Sequence, residues 1–269
     1  MVDGAVSAMI GMALQEEPSL GVHHLTHDIT PYNTFEASYR LFQTVEYWPK
    51  RTTFVSVVDP GVGASRKSVV ALTKTGQYIV TPDNGTLSYI KKVVGIVAVR
   101  EISEVENRRS NTELSYTFHG RDVYTYTGAK LASGHITFEE VGLELPVEEI
   151  LELPVVKTLI EENLVRGTID ILDVRFGSLW TSITRDDFYA LKPKFGDRFE
   201  VTIFNNDMLV YQNQVTYGKS FADVRIGQPI IYINSLYRVG LAINQGSFAK
   251  VYNVGVGSNW HIEIKRLGD

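Results

Sequence analysis

A turn rich in proline and glycine separates a carboxylate from a guanidinium in residues 57–66, VVDPGVGASR. Asp59 ends an apolar run that is typical of a buried strand, and Arg66 follows the turn. The proline and the glycines permit backbone conformations and close approaches that a bulkier loop excludes. The pattern therefore predicts that the two charged side chains are presented to a ligand. An Asp-Pro-Gly turn is also common after strands, so turn chemistry alone explains the same residues.

A second polar segment, residues 117–122 (TFHGRD), adds an imidazole. His119 lies between a polar stretch and the helix-like run 123–132. Histidine is the side chain most easily set to exchange protons near neutral pH, so His119 is a candidate catalytic group. Two structural alternatives stay open. His119 could cap a helix or satisfy a buried carbonyl, and Asp59 and Arg66 could form an ion pair that only braces the loop.

The composition is that of a folded globular protein without a surface for nucleic acid. The 269 residues, 44% of them hydrophobic and 21% charged, are enough for one large domain or two ordinary ones. With 26 basic and 31 acidic residues the formal charge is -5. Proteins that bind nucleic acid carry a basic stripe, which this sequence lacks.

Thiol, metal and membrane chemistry are all disfavoured. The absence of cysteine excludes disulfides, thiolate catalysis and cysteine-ligated zinc. His23, His24 and His27 cluster without a matching pair of carboxylates, so we expect no metal site. No apolar run approaches the roughly 20 residues that span a bilayer, and no basic region precedes the apolar residues of segment 1–14. We therefore expect neither anchor nor signal peptide, and a cytoplasmic location.

Helix-like and strand-like segments alternate in residues 1–150, which predicts an α/β N-terminal domain with a central, mostly parallel sheet. Helices are expected at 5–14, 35–47 and 86–91, and strands at 20–24, 53–58, 68–73 and 78–81, the last two around a turn at 74–76.

Short strand-like pieces with turn residues between them fill residues 166–269, which predicts a smaller all-β, barrel-like C-terminal domain. The intervening segment 151–165 is expected to be a linker, although the stretch 155–160 could pair with one of the sheets. The strands of the second domain are expected at 167–174, 198–204, 209–215, 229–233 and 260–266.

Six short motifs occur along the chain in a distinctive order and spacing. They are HDITP (27–31), DPGVG (59–63), PDNG (82–85), FHGRD (118–122), DVRFGSLWT (173–181) and NQGSFA (244–249). With them the chain resembles the S-adenosylmethionine hydrolases, or hydroxide adenosyltransferases, the hydrolytic relatives of fluorinase and chlorinase. The resemblance implies an α/β domain followed by a smaller β-barrel-like domain. It also implies a homotrimer whose active sites lie between the first domain of one subunit and the second domain of its neighbour.

The activity implied by the resemblance is hydrolysis of S-adenosyl-L-methionine to adenosine and L-methionine. An activated water or hydroxide attacks the ribose 5′ carbon, and the sulfonium leaves as a neutral thioether without help from an acid or a cofactor. The family's Asp, Arg and His around this water correspond to Asp59, Arg66 and His119. Arg66 would stabilise hydroxide character, His119 would hold the water or accept its proton, and Asp59 would orient both.

The resemblance also implies a set of substrate-binding residues. Asp173 would contact the methionine amino group and Ser235 its carboxylate. Asp3 would lie close to the methionine or ribose, and Tyr32 would cover the sugar. The adenine would be flanked by Phe176, Trp180 and Phe221, read at its edge by Ser178, and enclosed by Asn244, Ser247 and Ala249. As an alternative, the three aromatic residues could be core of the β domain.

The sequence departs from the family pattern at three places. Family members usually begin with a strand that ends in a Thr-Asp-Phe-Gly-like segment, whose Asp grips the ribose, whereas this sequence starts at Met1-Val2-Asp3. Either its start is shortened or the protein lacks that anchor, which would also expose a sheet edge. Ser178 stands where many hydrolases have Asn. The loop DPGVG and the pair His119-Gly120 replace the halide-binding residues of fluorinases, which favours water as the nucleophile.

Two alternatives to hydrolysis stay open. A missing ribose carboxylate suits a non-catalytic protein that binds adenosine or S-adenosylmethionine. A halide-dependent adenosyl transferase is the third possibility, and the replaced halide-binding residues disfavour it.

Overall fold

The structure, a computed structural model, describes residues 3–267. The chain divides into two compact units between Leu153 and Pro154. Within the described residues, no helix is both long and apolar enough to cross a membrane.

The first unit combines a five-stranded sheet with helices. The sheet order is β1-β3-β2-β4-β5. The predicted helices at 5–14 and 35–47 are confirmed as α1 and α2, the second followed by a 3-10 turn at Val45–Tyr47. The elements are α1 (Ala5–Glu16), α2 (Thr34–Thr44), β1 (Thr53–Val55), β2 (Ser68–Thr73), β3 (Tyr78–Pro82), β4 (Ile96–Glu101), α3 (Tyr126–Ser133) and β5 (Glu144–Leu145).

The sheet of the first unit is mixed, so a mostly parallel sheet is not confirmed. Only β1 and β3 pair in parallel, while β2–β3, β2–β4 and β4–β5 are antiparallel. A tight turn joins β2 to β3, with the Thr73 amide donating to the Gln77 carbonyl at 2.9 Å. A parallel connection needs a crossover of about a dozen residues or more, which this turn cannot provide.

One local prediction in the first unit is wrong and another is confirmed only in part. Residues 20–24 form neither helix nor strand, because the stretch from Gly21 to Leu25 is exposed and buries no face that would hold it in a sheet. The helix expected at 86–91 begins only at Ser88, after a turn, and continues as a short π-helical segment, Ile90–Val94. This segment stops at Gly95, whose φ of +91° belongs to the region that favours glycine.

Apolar packing fixes the element that follows His119. The π-helical segment Gly120–Thr125 leads directly into α3. Its Val123 and Tyr124 are fully buried in a cluster with Val70 of β2 and Val80 of β3. Burying such an apolar side chain contributes about 1.5–3 kcal/mol, so the segment is held firmly on the sheet.

The second unit is a closed seven-stranded barrel, which confirms a barrel-like β domain. Its strands run in the order β13-β9-β10-β11-β12-β8-β7, and the pairing of β13 with β7 closes the ring. The strands are β6 (Leu159–Glu161), β7 (Leu164–Asp173), β8 (Ser178–Thr184), β9 (Arg198–Asn205), β10 (Met208–Tyr217), β11 (Pro229–Ile233), β12 (Arg238–Ile243) and β13 (Gly257–Arg266). Two short helices accompany them, α4 (Arg185–Tyr189) and α5 (Phe248–Tyr252).

The barrel interior is filled by apolar side chains of the strands and of both short helices. Ile169, Leu179, Phe199, Leu241 and Ile264 belong to this core. The segment expected to be a linker contributes β6, which forms a hairpin with β7 outside the closed ring.

Candidate functional site

Asp59 and Arg66 form a bidentate ion pair that closes the glycine-rich loop between β1 and β2. Arg66 Nε donates to Asp59 Oδ1 at 2.8 Å, and Arg66 Nη2 donates to Asp59 Oδ2. Both side chains are largely buried, with 5% of Asp59 and 11% of Arg66 exposed. Gly63 has a φ of +80°, which allows the loop to turn back towards Arg66. A buried fork of this kind fixes both partners in one geometry.

The PDNG motif supports the loop from the neighbouring strand. Asn84 follows β3, and its Nδ2 donates to the carbonyl of Val58 at 2.8 Å, just before Asp59. The carboxylate of Asp83 accepts from the amide of Leu151 at 3.0 Å. Both side chains bind backbone groups, and no described hydrogen bond joins either of them to Asp59 or Arg66. The motif is therefore a support of the loop.

His119 lies against this ion pair. Its Nδ1 is 3.3 Å from Arg66 Nη2, and only 4% of the residue is exposed. The pKa of His119 is lowered, first by burial. Arg108 and Arg66 lower this pKa further, while Glu104 and Asp59 raise it. The imidazole is therefore neutral near pH 7.

The sequence analysis missed a buried hydroxyl pair beneath Arg66. Arg66 Nη1 donates to Ser68 Oγ at 3.3 Å, and Ser68 Oγ is 3.0 Å from the hydroxyl of Tyr124. The Arg66 guanidinium carbon lies 5.8 Å from the centroid of the Tyr124 ring. Burial raises the pKa of Tyr124, so its hydroxyl stays protonated. The only signal in the sequence was the closeness of Ser68 to Arg66.

A second guanidinium was also missed. Arg108 Nη1 is 3.4 Å from His119 Nε2 and donates to Glu104 Oε2 at 2.7 Å. The Arg108 guanidinium carbon lies 4.5 Å from the centroid of the Tyr116 ring. In the sequence Arg108 stands beside Arg109, and no pattern links either of them to His119. The spacing of Glu104 and Arg108, four positions apart, was the available signal.

The arrangement can stabilise an anion beside a neutral imidazole. Arg66 cannot lose its proton near neutral pH, and burial strengthens its attraction for developing negative charge. A neutral imidazole can donate one hydrogen bond and accept another. Arg66 thus contacts both Asp59 and His119 and brings together the three residues expected to surround a water, whereas their roles stay predictions.

Asp3 precedes α1, and Tyr32 precedes the residue that caps α2. The Asp3 carboxylate accepts from the amide of Ala5 at 2.8 Å, at the start of α1. Tyr32 is 80% exposed with a φ of +68°, a strained backbone for a tyrosine, and precedes Asn33, which caps α2. No described hydrogen bond joins Asp3 or Tyr32 to His119.

Two motifs of the second unit meet around Gly177. Its amide donates to the carbonyl of Asp173 at 2.7 Å, and its carbonyl accepts from the amide of Ala249 at 3.0 Å. A Cβ at Gly177 would lie 1.9 Å from Ser247 Oγ, and φ is +67°, so only glycine fits there. This contact joins the segment of Asp173 and Ser178 to the N-terminus of α5.

Three aromatic residues expected at the adenine occupy different surroundings. Phe176 is 68% exposed and Phe221 is 44% exposed, so neither belongs to the barrel core. Trp180 is 7% exposed, which fits the core alternative better. Its indole Nε1 nevertheless donates to the hydroxyl of Tyr232 at 3.0 Å, and the Tyr232 ring lies 5.0 Å from that of Phe221. Tyr232 is the member of this group that the sequence analysis missed.

The remaining predicted binding residues are partly committed to the backbone. Asn244 Nδ2 donates to the carbonyl of Val224 at 2.9 Å. Ser247 Oγ caps α5 by accepting from the amide of Lys250. Ser178 is buried at the start of β8, and Ser235 is exposed in the turn between β11 and β12.

No group of three or more His, Asp or Glu side chains in residues 3–267 is arranged to hold a metal ion. His24 Nδ1 and His27 Nε2 are 2.7 Å apart, a distance at which the two rings share a hydrogen bond.

Comparison with known proteins assigns both units to one family. Residues 1–142 match the SAM hydroxide adenosyltransferase N-terminal domain, and residues 167–261 match the corresponding C-terminal domain. The chain is 33% identical to an (R)-S-adenosyl-L-methionine hydrolase of Methanocaldococcus jannaschii, over 69% of this chain and 64% of that protein. It is 25% identical to a fluorinase of Actinopolyspora mzabensis, over 95% of this chain and 91% of that protein.

A solved structure shares the fold of this chain. The crystal structure of an uncharacterized conserved protein from Thermotoga maritima is 32% identical, with a TM-score of 0.90 over 99% of this chain and 97% of that one. The two domain matches together span most of the sequence. The chain therefore belongs to the SAM hydroxide adenosyltransferase family.

Proposed function

We propose that this protein hydrolyses S-adenosyl-L-methionine to adenosine and L-methionine. The observation that carries the proposal is the contact of Asp59, Arg66 and His119, a buried ion pair beside a neutral imidazole. Relatives named as hydrolases support the same reaction.

In the proposed reaction the oxygen of a water attacks the ribose 5′ carbon. The new C5′–O bond forms as the C5′–S bond breaks, and sulfur keeps the electron pair and becomes a neutral thioether. The water loses one proton in this step. Water is a poor nucleophile at saturated carbon, so the site must stabilise its hydroxide character and hold it opposite the sulfur. Arg66 supplies the positive charge and Asp59 fixes the orientation of Arg66.

The configuration at sulfur is a further part of the proposal. A sulfonium with three different substituents is a stereocentre, and the methanocaldococcal relative is named for the (R) form. We therefore propose (R)-S-adenosyl-L-methionine as the preferred substrate. Separate assays of the (R) and (S) diastereomers test this, and equal kcat/KM for both would contradict it.

The second unit supplies the groups that suit a nucleoside and an amino acid. We propose that Asp173 binds the methionine amino group and Ser235 its carboxylate. We propose that Phe176 and Phe221 contact the adenine. Ser235, Phe176 and Phe221 are exposed, and Asp173 is half-buried. Asp3 and Tyr32 are proposed to contact the methionine or ribose. No cofactor is required in this proposal.

A homotrimer with active sites between subunits belongs to the same proposal. It predicts that a variant defective only in the first unit, His119→Ala, and one defective only in the second, Asp173→Ala, regain activity when mixed subunits assemble together. Sedimentation gives the number of subunits. A cytoplasmic location is also proposed, and cell fractionation tests it.

Isotope transfer tests the reaction directly. In oxygen-18 water the label should appear at the 5′ oxygen of adenosine, and His119→Ala should lose turnover while calorimetry shows that substrate still binds. Binding without turnover in the wild type would instead support a non-catalytic adenosine or S-adenosylmethionine binding protein.

A second candidate reaction is halide-dependent adenosyl transfer, which the similarity to a fluorinase motivates. It predicts that chloride or fluoride increases the consumption of S-adenosylmethionine and yields a 5′-halogenated adenosine. His119 is neutral and stands where fluorinases have halide-binding residues. This difference favours water over halide as the nucleophile.

A further inference from the structure

The guanidinium of Arg66 is held on two sides. On one side its Nε and Nη2 bind the carboxylate of Asp59, and on the other its Nη1 donates to Ser68 Oγ at 3.3 Å. Nη2 also lies 3.3 Å from His119 Nδ1. A guanidinium has five N–H donors, and within residues 3–267 only one of them, on Nη1, has no described partner. The contact with Ser68 therefore decides where that remaining donor points.

The hydroxyl of Ser68 is itself fixed by Tyr124. Ser68 Oγ and the Tyr124 hydroxyl are 3.0 Å apart, and both residues are buried. A serine hydroxyl can turn among several staggered rotamers. It can accept from Arg66 and share a second hydrogen bond with Tyr124, whichever of the two hydroxyls donates. Tyr124 thus selects the rotamer in which Ser68 faces Arg66.

The ring of Tyr124 has little room to shift. It is fully buried in the cluster with Val70 and Val80, and such interiors are close-packed. The same ring meets His119 edge-on, with ring centroids 6.5 Å apart, and its centroid is 5.8 Å from Arg66 Cζ. One rigid side chain therefore lies against the imidazole and, through Ser68, holds the guanidinium.

Packing alone does not account for the hydroxyl of Tyr124. A phenylalanine would bury the same ring, whereas a phenol in an apolar cluster is unfavourable unless it has a hydrogen-bond partner. Within the described residues that partner is Ser68. Burial raises the pKa of Tyr124, so the hydroxyl keeps its hydrogen and does not compete with Asp59 as a second anion beside Arg66.

We propose that Ser68 and Tyr124 are positioning residues that fix the guanidinium of Arg66 from the side opposite Asp59. The inference rests on the proposed hydrolysis, in which Arg66 stabilises the hydroxide character of the attacking water. The pair keeps the remaining N–H of Nη1 directed at that oxygen. Without the pair, neither N–H of Nη1 has a fixed acceptor, and the guanidinium can tilt about its contacts with Asp59. Misplacing a catalytic group by about 1 Å can cost about 10²-fold in rate.

Two single variants and their combination test the pair. Tyr124→Phe keeps the ring and removes its hydroxyl, and Ser68→Ala removes the hydroxyl that bridges to Arg66. We expect each to lower kcat by about 3- to 10-fold with little change in KM, because Arg66 acts where charge develops. The double variant should lose no more than Ser68→Ala, since both changes break one chain of contacts. Additive losses, or an unchanged kcat in Ser68→Ala, would overturn the proposal.

Thr73→Val is the matched control for Ser68→Ala. Thr73 lies at the other end of β2, and its buried hydroxyl donates to Gln77 Oε1 at 2.8 Å. Losing this hydroxyl should lower the free energy of unfolding but leave kcat unchanged. Equal falls in kcat in both variants would mean that lost hydroxyls act only through stability, which contradicts positioning. Ser68→Thr, which restores a hydroxyl, should recover part of the kcat lost in Ser68→Ala.

NMR of the Arg66 guanidinium observes the positioning without substrate. The nitrogen signals that disappear in Arg66→Met assign this side chain. We expect slow rotation about the Cζ–Nη1 bond in the wild type, because Ser68 holds Nη1, and faster rotation in Ser68→Ala and Tyr124→Phe. Equal rates in the wild type and Ser68→Ala would overturn the proposal, and this comparison decides even if Tyr124→Phe does not fold.

The two measurements separate this inference from the proposed function. If Ser68→Ala frees Nη1 but no form of the protein hydrolyses the substrate, the proposed function fails and the positioning of Arg66 by Ser68 stands. If the wild type hydrolyses and Ser68→Ala changes neither the rotation nor kcat, only the inference fails.

Discussion

The charged cluster of the first unit and the aromatic group of the second are built on opposite principles. Around Arg66, charges are paired in fixed geometry and little of each side chain is exposed. Around Tyr232, hydrogen bonds to Trp180 and Ser178 are combined with a ring contact to Phe221, which stays open to solvent. The first arrangement suits stabilisation of charge in a reaction, and the second suits contact with a flat ligand.

The comparison makes a kinetic prediction. Substitutions in the charged cluster should act mainly on kcat, because its contacts are used where charge develops. Substitutions in the aromatic group should act mainly on KM, because its contacts are present in the bound ground state as well. Single substitutions in either region therefore test whether kcat or KM changes.

The largest effect is expected for Arg66→Met. It removes the cation beside the proposed water and leaves the buried carboxylate of Asp59 unpaired. Loss of one preorganised group that stabilises developing charge costs about 10²–10³-fold in kcat. Steady-state kinetics measure it, with Arg109→Met as a control of equal charge. A loss confined to KM would break the proposed division.

Gly177→Ala should give the largest effect in the second unit. The new Cβ would lie 1.9 Å from Ser247 Oγ, and the φ of +67° is strained for alanine. We expect a loss of about 1–3 kcal/mol in the free energy of unfolding and a raised KM. Gly196→Ala, with φ +94° and no atom within 4 Å of its Cβ, is the matched control for the backbone term alone. Equal losses in the two variants would show that the contact with Ser247 has no part.

Tyr232→Phe is expected to have a smaller effect. It removes the acceptor of the Trp180 indole N–H while keeping the ring against Phe221. The loss should be about 0.5–1.5 kcal/mol, seen in KM and in the unfolding free energy, with kcat kept. Tyr237→Phe, at an exposed tyrosine of the same unit, should change neither. A fall in kcat alone would place Tyr232 with the charged cluster.

The sequence predicted a site residue only where the residues next to it form a recognisable pattern. Asp59 stands out because it ends an apolar run and begins a turn with proline and glycine. His119 stands out because it precedes a glycine and a helix-like run. Arg108 does not, since four of its five donors bind the loop from Glu104 to Ser115. The shape of this loop depends on the packing of Tyr116 and on the backbone bond from Arg109 to Asp122. Such long-range contacts leave no periodic signal.

The same reasoning applies to the fold. Short strands with turns predicted the barrel, but its closure by β13 and β7 joins residues about a hundred positions apart and follows from pairing alone. The turn at residues 74–76 was visible in the sequence and already required antiparallel β2 and β3. Alternating helices and strands favour a parallel sheet, whereas this short turn alone decides how β2 and β3 pair.

The smallest effect concerns pH and the stability of the charged cluster. In the folded protein the pKa of His119 lies below its ordinary value of 6.5, chiefly because of burial. Below pH 6.5 the unfolded chain therefore binds a proton that the folded protein resists, so stability falls as the pH drops from 6.5 towards the folded pKa. Above pH 6.5 both states are neutral and this contribution is constant.

Urea unfolding between pH 5 and 8 measures this dependence, as a fall in the free energy of unfolding on the acid side. His119→Gln should flatten the acid side of the curve. The pKa of His27 is also lowered, first by burial and then by His24, so His27→Gln should flatten it in part and the double variant should do so most. A curve unchanged by His119→Gln would mean that the pKa of His119 is the same in the folded and unfolded states, and the charged cluster would then exert no control over the protonation of its imidazole.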